Sequence, residues 1–504
     1  DSQTLRMGSQ FSVIRNGRLV DGRQFNGARF DILIEKDTIV EVVPPDSQAP
    51  ENSTVIDAAG TLILPGLINA HTHGDVSLAK GLGDRWTLEL LLNASPLTSE
   101  DFLLQDKSLA ARLAAVEMVL YGCTACYDLF SDFPTPSLES LEAVGKAYTE
   151  VGMRVVIAPL MADRTFWQAV PGMIDALPRN LKQKIEKIVT QPGDIAINAM
   201  RDAIVNWPYA QDPVYLGLAP TIPYHCDAAF FRSCRELADE FGVRIHSHIA
   251  ESKLQAIVGQ QLFGCSLTEH LDKLGIISSD FTAAHCVWLD TTDIQRLADR
   301  GACVAHNPTS NLRLGTGVAK TREMLNAGIC IGIGTDASTC SDALNMFEAM
   351  RMAAYVSRIH QPDPEYWLSA EDVLLMATEG SARALGLEKQ VGQISPGFKA
   401  DLVFLDDTAI QYTPLNNPVR QIIFQENGSG VRDVMVGGKF VVRNHRPAGL
   451  NYESLRAEVA EAMDRIRVKM DAKKPMVSSL APLVSKFCVG LSSTQLPINR
   501  YIGP

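Results

Sequence analysis

His71 and His73 stand one residue apart behind an apolar run, in "LILPGLINAHTHGD" over 62–75. Residues i and i+2 of a strand share a face, so both imidazoles can reach a single ion. In "VRIHSHIAE", His248 and Glu251 form an H-x-x-E at what reads as a strand-to-loop transition. That spacing can put a metal ligand and a proton carrier on opposite sides of one metal-bound water. His285 follows "FTAA", His306 lies in "CVAHNP", and Asp336 ends the mostly apolar "IGIGTD". A carboxylate in that setting is costly to bury without a cation or hydrogen bonds, so a place beside a metal is expected for Asp336. Together with His225, these groups and His246 take up seven of the ten histidines. The chemistry that such a set can do is metal-assisted hydrolysis, because a bound cation brings the pKa of water close to neutrality.

Distant residues of this kind converge only if strands deliver them. Short apolar segments at 62–70, 124–129, 154–161, 215–223, 243–250, 281–289, 303–308 and 329–336 alternate with helical patterns such as "RSCRELADEFG", whose apolar spacing suits one buried face. Eight strand-helix repeats predict a (β/α)8 TIM barrel, in which active sites gather at the C-terminal ends of the strands. An open doubly wound sheet is the alternative, but the Gly-rich loop after its first strand is missing. Alternating strand patterns at 10–60 and again at 391–449 predict a small β-sandwich formed from both ends of the chain. The expected organisation is 1–61 and 386–449 in the β-sandwich, 62–385 in the barrel, and a C-terminal helix and tail over 450–504. To the apolar end of that tail the sequence assigns no role.

The 504 residues carry a formal charge of −12, with 46% hydrophobic and 21% charged residues. An acidic balance argues against nucleic acid and anionic membrane as partners, since both reward a basic surface. No export leader or long apolar span is evident, so a cytoplasmic protein is expected. Ten cysteines, Cys123 and Cys126 in a C-x-x-C among them, are expected as reduced, packed thiols, because no second pair completes a zinc site.

The ordered set "PGLINAHTH", "HSHIAE", "AAHCVWL", "AHNPTSNLRLGTG" and "GTDAS" resembles the metal-dependent amidohydrolase superfamily, over about residues 10 to 445. Within it the nearest likeness is to the branch of methylthioadenosine/S-adenosylhomocysteine deaminases, guanine and cytosine deaminases and chlorotriazine hydrolases. The resemblance implies that His71, His73, His248 and Asp336 hold one divalent ion, zinc by expectation, with iron, manganese or cobalt open. It also implies Glu251 as proton shuttle and His285 as the group orienting the attacking water, with Asp336 sharing in the proton transfer. Related enzymes with two metals use a carboxylated lysine on the fourth strand. Here "YLGLAPTIPYHC" has no lysine, so one metal is expected.

The implied activity is hydrolytic removal of an amino or similar group from a purine, pyrimidine, pterin or triazine. Hydrolysis of an exocyclic amide, urea or carbamate at the same centre is the alternative. A binding protein on a dead hydrolase scaffold is disfavoured by the intact ligand set. Substrate recognition departs from the branch: Thr221 stands in "PTIPY" where the branch has a histidine, Ser338 follows Asp336 in "DASTC", and Trp86 is displaced from the branch's tryptophan. Trp86, Thr221, His306 and Ser338 are therefore candidate substrate contacts, although His306 could equally order its loop. His246 is expected to pack behind the ligands. The partner is a small molecule, and a homo-oligomer is left open.

Overall fold

The structure, a computed structural model, describes residues 10–209, 211–341 and 343–503; residues 1–9 and Pro504, included in the expected first and last segments, lie outside them. At its centre, eight short strands run parallel: Leu67–Thr72, Cys123–Asp128, Arg154–Ile157, Val214–Leu216, Ile245–Ile249, Phe281–His285, Cys303–His306 and Cys330–Ile333. Nearly all their side chains are buried, as parallel strands covered on both faces require. The fourth strand meets the fifth where His246 N–H donates to the Leu218 carbonyl at 2.9 Å. The ring closes between the eighth and the first, where Asp336 N–H donates to the His71 carbonyl at 2.8 Å and Asn69 bonds the Thr335 hydroxyl at 2.8 Å. This is the (β/α)8 barrel.

Strand limits differ from the expected ones for local reasons. The segment 62–70 is two strands, not one: Thr61–Pro65 pairs antiparallel with Leu402–Asp406 in the β-sandwich, and the barrel strand starts at Leu67. Gly66 makes the break, its N–H donating to the Asp401 carbonyl at 2.9 Å; a Cβ there would collide with Thr124. Pro159 interrupts the third strand, because proline has no N–H for the ladder. The sixth ends at His285 and not at 289, since His285 and Cys286 take φ of 73° and 50°. Around the barrel, helices bury one face. Ala228–Phe241 is typical, capped by the Asp227 carboxylate accepting from Phe230 N–H at 2.7 Å and stopped by left-handed Gly242.

Strands from both ends of the chain build a seven-stranded sheet, and four N-terminal strands within 11–57 build a second. Their facing sides enclose a core that includes Ile14, Ile32, Ile63, Leu402 and Phe404.

After 450 comes a single helix, Tyr452–Ser492, with Pro475 and Pro482 inside it, followed by a short non-helical tail. Proline in a helix interior costs about 3 kcal/mol, so packing rather than propensity holds this element. Arg465 grips Asp106 with two bonds of 2.9 and 2.6 Å, Arg112 reaches Glu458 at 2.6 Å, and Leu480, Val484 and Cys488 are buried. By length and composition this helix is also apolar enough to cross a membrane.

Candidate metal centre

At the C-terminal mouth of the barrel the structure brings together His71, His73, His248, Glu251, His285 and Asp336. His73 Nε2 lies 3.2 Å and His71 Nε2 3.4 Å from Asp336 Oδ1; His248 Nε2 lies 3.4 Å from His73 Nε2. His285 Nε2 is 3.4 Å from Glu251 Oε2 and 3.7 Å from Asp336 Oδ2.

Each ring is held from behind. His73 Nδ1–H donates to the Leu129 carbonyl at 2.7 Å and His248 Nδ1–H to the Thr221 carbonyl at 2.6 Å. These bonds fix the ring orientation and turn both Nε2 atoms inward. His71 Nδ1 meets His246 Nε2 at 3.1 Å, so His246 sits behind the ligand cluster and supports it. His285 Nδ1 bonds Asn311 Oδ1 at 2.9 Å, and the Ser310 hydroxyl donates to Asp336 Oδ2 at 2.7 Å. Ser310 and Asn311 were not singled out from sequence, although the quoted stretch "AHNPTSNLRLGTG" contains both. Asp336 and His285 sit at positive φ, 60° and 73°, a conformation that non-glycine residues keep only where the surroundings impose it.

The electrostatics divide the two carboxyl groups. Burial would push Asp336 up, but the His71 and His73 rings set against its carboxylate hold it well below the usual carboxylate range. Burial and the charge of Asp336 push Glu251 well above it. Burial draws His71 down to about 4 against the pull of Asp336, whereas at His73 the Asp336 carboxylate outweighs burial and holds the ring at about 9. Two neighbouring carboxyl groups whose surroundings push their pKa values apart are the arrangement that separates a ligand from a proton carrier.

Whether a cation fits is answered by the atoms left over. Among the described residues, His71 Nε2, His285 Nε2 and Glu251 Oε1 are buried without a hydrogen-bond partner. Donor atoms of His71, His73 and Asp336 lie within 4.8 Å of one another, as do those of His71, His248 and His285. Buried polar atoms normally find partners, and an imidazole/carboxylate set of this kind suits a divalent transition metal. The residues fit the ion.

Residues 62–441 match the amidohydrolase family. The chain belongs to the amidohydrolase family. It is 34% identical over 433 residues to a 5-methylthioadenosine/S-adenosylhomocysteine deaminase of Thermococcus onnurineus, covering 85% of this chain and 93% of that protein. Among solved structures it resembles a zinc-bound adenosine deaminase of Xanthomonas campestris, with a TM-score of 0.78, 25% identity, and coverage of 90% and 98% of the two chains. It also resembles the zinc complex of an atrazine chlorohydrolase of Arthrobacter aurescens, with a TM-score of 0.78, 27% identity, and coverage of 89% and 99%. This amidohydrolase is thus a metal-dependent hydrolase of the deaminase type, acting on carbon–nitrogen bonds.

In the amidohydrolase the ligand cluster opens into a cavity of about 260 Å³. Thr221 lines it, as do Asp75 and the apolar Leu88, Leu91 and Leu314. Trp86, His306 and Ser338 do not. The Trp86 indole packs on the group formed by Leu88, Leu314, Ala337 and Cys340. His306 and Ser338 are fully buried in and beside the last two strands, with their polar side-chain atoms unpartnered among the described residues. Asp75 is a charged wall residue outside the expected site set, although it directly follows "HTHG". Its carboxylate accepts from the Ser99 hydroxyl at 2.7 Å and from Ser131 N–H at 3.1 Å.

Proposed function

We propose that this chain is a mononuclear zinc aminohydrolase that replaces an amino group on an aromatic nitrogen heterocycle, of the aminopurine nucleoside or aminotriazine type, with oxygen from water. The observation that carries the reading is Glu251: a buried carboxyl whose proton affinity is raised by its surroundings, beside an N/O ligand cluster and opening into the cavity. The ion, when bound, supplies a water that is nucleophilic at neutral pH. His71, His73, His248 and Asp336 would hold it. Glu251 takes the proton released by the attacking water and delivers it to the departing nitrogen, so that water and substrate give the oxo product and ammonia. His285, locked by Asn311, orients the attack and shields the charge on the tetrahedral carbon's oxygen. A single ion is favoured because the fourth strand carries no lysine to bridge a pair.

The formal charge of −12 supports a small-molecule partner rather than nucleic acid or anionic lipid. The apolar C-terminal helix is read as part of the enzyme because its buried face packs on the barrel. Ten unpaired cysteines support a reducing, cytoplasmic location.

The test is ammonia release by zinc-loaded enzyme across methylthioadenosine, S-adenosylhomocysteine, 5'-deoxyadenosine, adenosine and aminotriazines, set against amine or acid release from aryl amides and ureas. Glu251→Gln is expected to retain the metal and lose kcat by about 100-fold or more. Acid or amine release with no ammonia would replace this reading with the amide and urea alternative, and two tightly held ions per chain would overturn the single-metal assignment.

A further inference from the structure

Next to the catalytic cavity lies a larger one, about 480 Å³, that shares Leu92, Ser95, Ser99 and Ser131 with it as common wall. Phe166, Trp167 and Ile185 form one side of this chamber, and Met476 and Leu480 of the helix Tyr452–Ser492 form its roof. We propose that the chamber is a substrate subsite, occupied by a neutral, apolar substituent several carbons long on the heterocycle; this rests on the reading of the inner cavity as the reaction centre.

Three observations support that occupant. The inner cavity alone, at about 260 Å³, falls below the ~300–1,000 Å³ of ordinary ligand pockets, and the two together come inside that range. The charged group on the chamber wall that could attract an anionic tail, Lys473, is already neutralised by Glu100 at 3.8 Å and by Asp101. Asn93, 4% exposed, also lines the chamber; its Nδ2 donates to the Val477 carbonyl at 3.2 Å, while its Oδ1 has no partner among the described residues. That oxygen can accept one N–H or O–H from an otherwise apolar group. The roof lies beyond residues 62–441, so the part of the chain shared with the family does not by itself build this subsite.

The test uses alkyl hydroxamates, which anchor on the metal whichever bond the enzyme hydrolyses. Affinities of the acetyl, butyryl, hexanoyl, octanoyl and decanoyl members for zinc-loaded, full-length enzyme are measured by calorimetry. Each methylene entering the chamber should tighten binding about three- to fourfold, the transfer value of a buried CH₂, until the chamber is full. Suberic monohydroxamate, with a carboxylate at the far end, should lose most of that gain. Leu480→Trp should collapse the ratio between the decanoyl and acetyl members, and Leu480→Ala should move the plateau to a longer chain. A flat series in the unmodified enzyme overturns the proposal whether or not the variants fold, and so does a gain of equal size for the carboxylate-ended chain. A length-dependent series from an enzyme that releases no ammonia would sink the deaminase reading and leave the subsite standing.

Discussion

His246 is the clearest case of a residue that works through another. It contributes no atom to the cavity, yet its Nε2 meets the ring nitrogen of His71 that faces away from Asp336. Groups that hold ligating imidazoles from behind typically affect metal affinity by 10- to 100-fold. His246→Ala should therefore weaken zinc binding by about 10–100-fold, read by competition with a chelator of known affinity. Unaltered affinity would reduce His246 to a packing residue. Glu251 differs from it in kind, since its loss should spare the metal and remove turnover. The two variants separate holding the ion from moving the proton.

At the scale of elements, the C-terminal segment is tied to the barrel mouth at its very end. Arg500, 8% exposed, donates to the Val287 carbonyl at 3.0 Å and to that of Leu289, and its own carbonyl accepts from Val318 N–H at 2.9 Å. Tyr501 stacks edge-on against Trp288. Val287 is two residues beyond His285, so the tail braces the loop that leaves the water-orienting histidine. Arg500→Ala strips partners from buried carbonyls and is expected to cost about 1–3 kcal/mol, measured by denaturant unfolding. Arg500→Lys should rescue it only in part, because one ammonium cannot reproduce a planar fork. A variant as stable as the parent would mean that this contact carries no weight.

For the whole molecule, the question is what keeps barrel and β-sandwich in one arrangement. Arg154 of the third barrel strand is 1% exposed, and its guanidinium bonds the Asp401 carboxylate at 3.2 and 3.3 Å, with Asp212 beside it. Asp401 in turn accepts from Gly437 N–H at 2.7 Å, and its carbonyl holds Gly66 between the two units. Removing one partner of a buried pair strands a charge, a loss of about 3–5 kcal/mol. Arg154→Met and Asp401→Asn should each destabilise by that order, and the double variant by less than the two together. Strict additivity in denaturant melts would show that the pair does not act as a unit.

The sequence by itself determined the order of eight strands, the two-ended β-sandwich and the six polar side chains of the centre, because period, strand-end position and residue type are local properties. It did not show that 62–70 is shared between two sheets, since Gly66 reads as an ordinary residue until Thr124 and Asp401 come up against it. Nor could it place Trp86, His306 and Ser338 away from the cavity wall: which way a side chain turns at a strand end depends on packing from segments far along the chain. The role of the tail belongs to the same class. Propensity disfavours a helix with two internal prolines, and only surfaces gathered from distant parts of the chain, around Leu480 and Asp106 for the helix and Val287 for the tail beyond it, hold this segment on the barrel.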